Sequence, residues 1–145
     1  MTLAVEPTRQ IQTLNIKKET LIAAPADIVF ETLLQPQGPM ADMNLKIEPF
    51  PGGRWYRDLG NNAGHLWGHV QVIKPPKLLE IVGPMMMSYA AASHVQYRLT
   101  EEGKSTRLTV THTAIGLILE DHLTGVNKGW EEVLAAIKAS SETKK

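Results

Sequence analysis

One stretch narrows what this chain can fold into more than any other: Leu119–Ser140, LEDHLTGVNKGWEEVLAAIKAS. Leu119, Leu123, Val126, Trp130, Val133, Leu134 and Ile137 recur at steps of three and four. That spacing lays one apolar stripe along a helix of about five to six turns. Glu120, Asp121, Lys128, Glu131, Glu132 and Lys138 take the opposite face, so the helix has a wet side and a dry one. A dry side needs a surface to lie on, and the residues upstream read mostly as strand. The expectation is an α+β protein in which a curved antiparallel sheet grips one long C-terminal helix and encloses a cavity.

The strands follow from the period of two. From Ile11 to Ile22 alternate positions carry Leu14, Ile16 and Ile22, as in a strand with one dry face. Ala23–Asp27 then opens a short helix, with Pro25 in the first turn where its missing N–H is harmless and Asp27 near the positive end. Ile28, Val29, Phe30, Leu33 and Leu34 give it a broad apolar face, and Pro36 ends it. Residues 36–43 are breaker-rich and read as a loop with at most one helical turn. Short strands are expected at 45–50, 54–59, 65–73 and 78–82, separated by Pro51-Gly52-Gly53, Gly60-Asn61-Asn62 and Pro75-Pro76. Two longer ones follow at 93–100 and 106–113, joined through Glu101–Lys104. Between them and the fourth short strand, residues 83–93 contain Met85-Met86-Met87 and Ala90-Ala91-Ala92; this unpinned segment is expected to act as a gate to the cavity, the alternative being an ordinary strand edge with three core methionines. Residues 1–10 read as a flexible lead-in, 11–140 as one domain and 141–145 as a polar, mobile tail.

Composition removes several functions. Fifteen basic and fifteen acidic side chains are interspersed, which gives neither a nucleic-acid stripe nor a surface for anionic membrane. With no cysteine there is no disulfide or thiolate chemistry, and a reducing, cytoplasmic location is expected. No run approaches the roughly 20 apolar residues of a membrane span, and residues 1–10 lack the pattern of a secretory signal.

Candidate chemistry is sparse. His65, Trp67 and His69 are expected to share one face of a strand, but two histidines without a third ligand make an incomplete zinc set, so no metal and no cofactor are expected. His112 alternates with Leu108 and Val110 and should point inward, either as a hydrogen-bonded core histidine or as a polar contact at the bottom of the cavity. No GxSxG elbow is present, and Pro51-Gly52-Gly53 lacks the spacing of a phosphate loop. Asp58 and Glu80 are candidates for acid–base catalysis, and more simply read as outward residues of alternating strands. The large soft side chains are more informative. Phe30, Trp55, Trp67, Met85, Met87, Tyr97 and Trp130, with His112, form the candidate ligand-binding set; the alternative is that they simply fill the core. No catalytic residue is assigned.

Five segments occur in a telling order: IKKETLIAAPADIVFETLLQP, FPGGRWYRD, GHVQVIKPPKLLEI, a strand pair ending in TRLTVTH, and GW before the terminal helix. In that order the chain resembles the START-like, Bet v 1-like (SRPBCC) superfamily. Within it the chain is similar to bacterial proteins related to the C-terminal domain of the activator of the Hsp90 ATPase. The resemblance spans about Leu14 to Ala139. It implies a helix-grip fold, with six or seven strands, one or two small helices after the first strand and a long C-terminal helix closing a cavity. Many relatives carry a Trp before the PGG strand where this chain has Met40-Ala41-Asp42-Met43, which implies a different cavity mouth. The co-chaperone's separate N-terminal domain has no counterpart here, so chaperone activation is not the expected role. The first expectation is a soluble monomer or homodimer that binds a hydrophobic or amphipathic small molecule, lipid-like or aromatic. The alternatives are a polyketide cyclase or hydrolase-like enzyme using the same cavity, and a protein-interaction module with a protein partner.

Overall fold

Periodicity and turn chemistry place the elements, and the computed structural model describes them for residues 10–144. The lead-in expected at 1–10 lies outside the described residues except for Gln10, and Lys145 lies outside them too. The order is β1 (Gln12–Ile22), α1 (Ala26–Leu33), a 3₁₀ turn (Gly38–Met40), β2 (Leu45–Ile47), β3 (Arg54–Gly60), β4 (Ala63–Lys74), β5 (Leu78–Gly83), β6 (Ala91–Glu102), β7 (Ser105–Gly116) and α2 (Glu120–Lys144). All seven strands form one antiparallel sheet in the order β1-β7-β6-β5-β4-β3-β2. β1 and β2 are consecutive strands yet stand at opposite edges, with α1 and the 3₁₀ turn covering the distance between them. This is the helix-grip arrangement.

The core lies between the sheet and the helices. Leu14 and Ile16 of β1, Val95, Tyr97 and Leu99 of β6, and Leu108, Val110 and Ala114 of β7 are buried at alternating positions. From α2, Val126, Trp130, Val133, Leu134 and Ile137 are buried with them in one cluster. The apolar stripe therefore does what its spacing requires, with one correction at its start. Leu119 precedes α2 and is largely exposed, because the helix begins only at Glu120.

The far end of α2 differs as well. Residues 141–144, expected as a mobile tail, continue the helix. Tertiary contacts hold them: the Ala23 N–H donates to Glu142 Oε2 at 2.8 Å, and Lys144 Nζ donates to Thr32 Oγ1 and to Gln35 Oε1, both at 3.2 Å. Ser141 is fully buried.

A β-bulge changes one face of the sheet. Tyr56 pairs with Leu66 but Trp55 pairs with Gly68, so Trp67 is an extra residue in β4 and the alternation changes phase there. Trp67 and Val70 are both buried while His69 is exposed, so His65, Trp67 and His69 do not share a face as a simple period of two requires. The irregularity depends on glycine. A Cβ on Gly68 would come within 2.7 Å of the Val82 carbonyl oxygen, and one on Gly83 within 2.4 Å of Gly68 Cα. Only bare backbone lets β4 and β5 approach so closely at this point.

Candidate functional site

A long helix cannot follow a bent sheet along its whole length without leaving a gap. Here the gap is a cavity of about 260 Å³ between the sheet, the first half of α2 and the loop before β2. Its inner wall comes from Trp55 of β3, Trp67 at the bulge, Met85 after β5, His112 of β7 and Trp130 of α2. These are five of the eight candidate residues. Trp55 and Trp67 meet edge-to-face with ring centroids 5.1 Å apart, a contact the bulge makes possible by turning Trp67 inward.

The other three candidates lie elsewhere. Tyr97 borders a separate narrow cleft with Leu79, Ile81, Leu33 and Leu34, although its ring still packs edge-on against Trp130 at 5.9 Å. Burial raises its phenol pKa, so Tyr97 stays protonated. Phe30 and Met87 are buried in the core and line neither space. Two outward candidates are accounted for by ordinary surface pairing. Asp58 takes Lys46 Nζ at 3.0 Å, and Glu80 faces His94 Nε2 at 2.8 Å. Among the described residues no three His, Asp or Glu side chains gather where a metal ion could be shared.

Of the outer part of the cavity the sequence points only to Met40–Met43, through the resemblance, and to Met86, within the expected gate. This outer part is formed by Pro39, Met40 and Met43 of the loop, by Met86, and by His122, Gly125, Val126, Gly129 and Val133 of α2. Pro39, Met86 and Gly125 are exposed, and Met40, Met43 and His122 are half-buried, which locates the mouth. Gly125 and Gly129 offered a signal within the sequence. Two glycines four apart on the striped face of a helix cost about 1 kcal/mol each in helix propensity, so their gain has to be space. A Cβ built on either one meets no atom within 4 Å.

His112 is the polar group at the bottom of the cavity, and its hydrogen bonds fix its chemistry. Trp130 Nε1–H lies 3.0 Å from His112 Nδ1, and Ser93 Oγ lies 2.9 Å from His112 Nε2. An indole nitrogen only donates, so Nδ1 must accept and Nε2 must carry the hydrogen that goes to Ser93. Burial lowers the His112 pKa to about 4, which keeps this tautomer neutral. The pair therefore does not work as a nucleophile with its base: the histidine donates to the serine instead of taking its proton.

At the mouth, Tyr89 and His122 join residues 83–93 to the start of α2. Their rings stack with centroids 5.5 Å apart, and Tyr89 Oη lies 2.6 Å from His122 Nδ1. The Leu119 N–H also donates to Tyr89 Oη, at 3.3 Å. The expected gate is thus tethered. Met85 and Met87 are buried, and the Met85 N–H donates to the Trp67 carbonyl at 2.8 Å.

Among curated proteins none matches the sequence. Solved structures of the same fold do match. An uncharacterized protein from Rhizobium leguminosarum is 18% identical, with a TM-score of 0.74 over 94% of this chain and 99% of that one. CalU16 from Micromonospora echinospora is 25% identical, with a TM-score of 0.62 over 90% of this chain and 81% of that one. DynU16, a protein in the dynemicin biosynthetic locus, is 20% identical, with a TM-score of 0.65 over 90% of this chain and 48% of that one. The family model described as Activator of Hsp90 ATPase homolog 1-like protein matches residues 23–142. A match of that extent, on the seven-stranded sheet and long helix described above, shows that the chain belongs to this AHSA1 family, within the START-like, Bet v 1-like superfamily.

Proposed function

We propose that the protein binds one small apolar or amphipathic molecule beneath the first half of α2. The observation that supports this reading is the cavity itself. Protein interiors are close-packed, and this space of about 260 Å³, open at its mouth, leaves tryptophan and methionine walls without apolar neighbours. A guest recovers that contact. The space is walled by tryptophan rings and methionine thioethers, and two helix glycines hold it open. An engineered cavity of roughly 150 Å³ accepts benzene, so the bulk favoured here is one or two fused rings, or an alkyl segment of similar volume. The place of DynU16 in a biosynthetic locus supports a small molecule over a protein as the partner. Among the described residues no helix is long and apolar enough to cross a membrane, and a cytoplasmic location is part of this proposal.

The enzyme alternative is less supported in the interior. With His112 Nδ1 occupied by Trp130, no free base faces a guest at the bottom of the cavity. Titration with 2-isopropylnaphthalene, read by tryptophan fluorescence and calorimetry, tests the reading. Saturable micromolar binding with a change in tryptophan emission is the expected result. Failure of folded protein to bind this and comparable one- and two-ring compounds would overturn it.

A further inference from the structure

Three buried side-chain nitrogens or oxygens among the described residues have no hydrogen-bond partner: Arg57 Nε, Trp67 Nε1 and Ser141 Oγ. Of these residues only Trp67 lines the cavity. A buried indole N–H ordinarily finds an acceptor, because a bare one forfeits the hydrogen bond it makes to water in the unfolded chain. Here the bulge turns Trp67 inward until the residue is only 4% exposed. Its nitrogen is then cut off from bulk water as well as from protein acceptors. The acceptor that it lacks has to arrive through the cavity.

The other deep polar groups are accounted for. Trp130 Nε1–H donates to His112 Nδ1, and His112 Nε2 lies against Ser93. Trp55, the remaining indole of this wall, is not among the groups cut off in this way. The charge of the missing acceptor follows from what else borders the space. No Lys, Arg, Asp or Glu is among the lining residues, and one neutral N–H does not offset the lost hydration of a carboxylate. A carbonyl oxygen gives up much less on entering, and a single N–H inside a dry, low-dielectric wall is a strong donor to it.

We propose that Trp67 Nε1–H is the hydrogen-bond donor to the guest, and that the ligand is a neutral carbonyl compound, a ketone, quinone or ester in class, bound oxygen-inward. This deepens the cavity reading above and rests on it. The hydrocarbon end of the guest then lies toward Met40, Met43 and Met86 at the mouth, whose unbranched side chains adapt to its shape. Trp55, edge-to-face with Trp67 at 5.1 Å, restrains the donor ring and is a positioning residue.

Matched guests test this. 2-Acetylnaphthalene carries a neutral oxygen, 2-naphthoate a charged one, and 2-isopropylnaphthalene has the same shape with none. The measured quantity is the ratio of affinities, ketone to hydrocarbon, in one protein at a time. In Trp67→Phe the ratio should fall about 3- to 10-fold, the size of one net hydrogen bond. In the unaltered protein the ¹H–¹⁵N resonance of the Trp67 indole should move with the ketone and not with the hydrocarbon. Naphthoate at neutral pH should bind about tenfold or more weakly than the ketone. If Trp67→Phe does not fold, the indole resonance decides alone. A ratio unchanged in folded Trp67→Phe, or a resonance that responds alike to ketone and hydrocarbon, would overturn the donor assignment and leave the cavity reading intact. Naphthoate bound as tightly as the ketone would overturn the neutral class. No binding of any of the three to the unaltered protein would remove the cavity reading, and this proposal with it.

Discussion

Gly125 and Gly129 stand one turn apart on the face of α2 that borders the cavity, and nothing lies within 4 Å of the place where either side chain would begin. Stability and occupancy should therefore move in opposite directions. Gly129→Ala is expected to raise the unfolding free energy by about 0.5–1 kcal/mol through helix propensity alone. The larger Gly129→Leu should fill the space and weaken 2-isopropylnaphthalene binding at least tenfold. Calorimetric Tm and titration decide. A stabilised Leu variant that binds as well as the parent would show that the guest sits elsewhere.

Trp130 is buried and also supplies a hydrogen bond to His112. Trp130→Ala should cost about 3–5 kcal/mol, the range for deleting a large buried aromatic. Trp130→Phe keeps most of the area but leaves His112 Nδ1 without its donor, at a cost of about 1–3 kcal/mol. Chemical denaturation of both variants measures the two terms separately. If the two substitutions cost the same, the hydrogen bond and not the bulk carries the contribution of Trp130.

Acid should find His112. Its folded pKa, about 4, lies below its ordinary 6.5, so between those values the unfolded chain binds a proton that the folded chain refuses. Stability from this group is fully present above pH 6.5 and is lost as pH falls toward 4, by about 3 kcal/mol in all. His112→Gln, whose amide can accept from Trp130 and donate to Ser93 without titrating, should flatten that part of the stability curve. Denaturant midpoints at pH 7.5, 6, 5 and 4.5 compare the two proteins, and parallel curves would mean that His112 does not titrate this way.

Hydrogen exchange will define how much of 83–93 opens. The Met85 and Met87 amides donate to the carbonyls of Trp67 and Pro84 and should be protected. Ser88, Tyr89 and Ala90 lie between that turn and β6 and should exchange fastest, slowing when 2-acetylnaphthalene is added. Uniform protection from 85 to 100 would place admission of the guest wholly at residues 36–44.

Local periods read well from the sequence, and tertiary coincidences do not. The α2 stripe and the β6–β7 hairpin around Glu101–Lys104 follow from periods of 3.6 and 2, since each residue's surroundings repeat along its own element. The inward turn of Trp67 depends on an extra residue relative to β3, of which the neighbouring Gly68 is the local sign within β4. Likewise His122 and Met43 share the cavity's mouth only because a loop far away in sequence packs against α2. Residues 141–144 look like a solvated tail because the partners that hold them, Ala23, Thr32 and Gln35, are more than a hundred positions earlier. Gly125 and Gly129 were readable: in a helix interior, paired glycines at i and i+4 imply room.

The position of β1 at one edge sets a timetable for synthesis. Gln12 pairs with Gly116, and 116 − 12 = 104 residues separate them. At about 5–20 residues per second, a ribosome needs on the order of 5–20 s to make that interval. Throughout that time the first strand made has no neighbour, because its one strand partner is the last strand made. A nascent chain of this topology thus exposes an unpaired, half-apolar β-edge until translation is nearly complete, and early termination anywhere before β7 leaves that edge open to other chains.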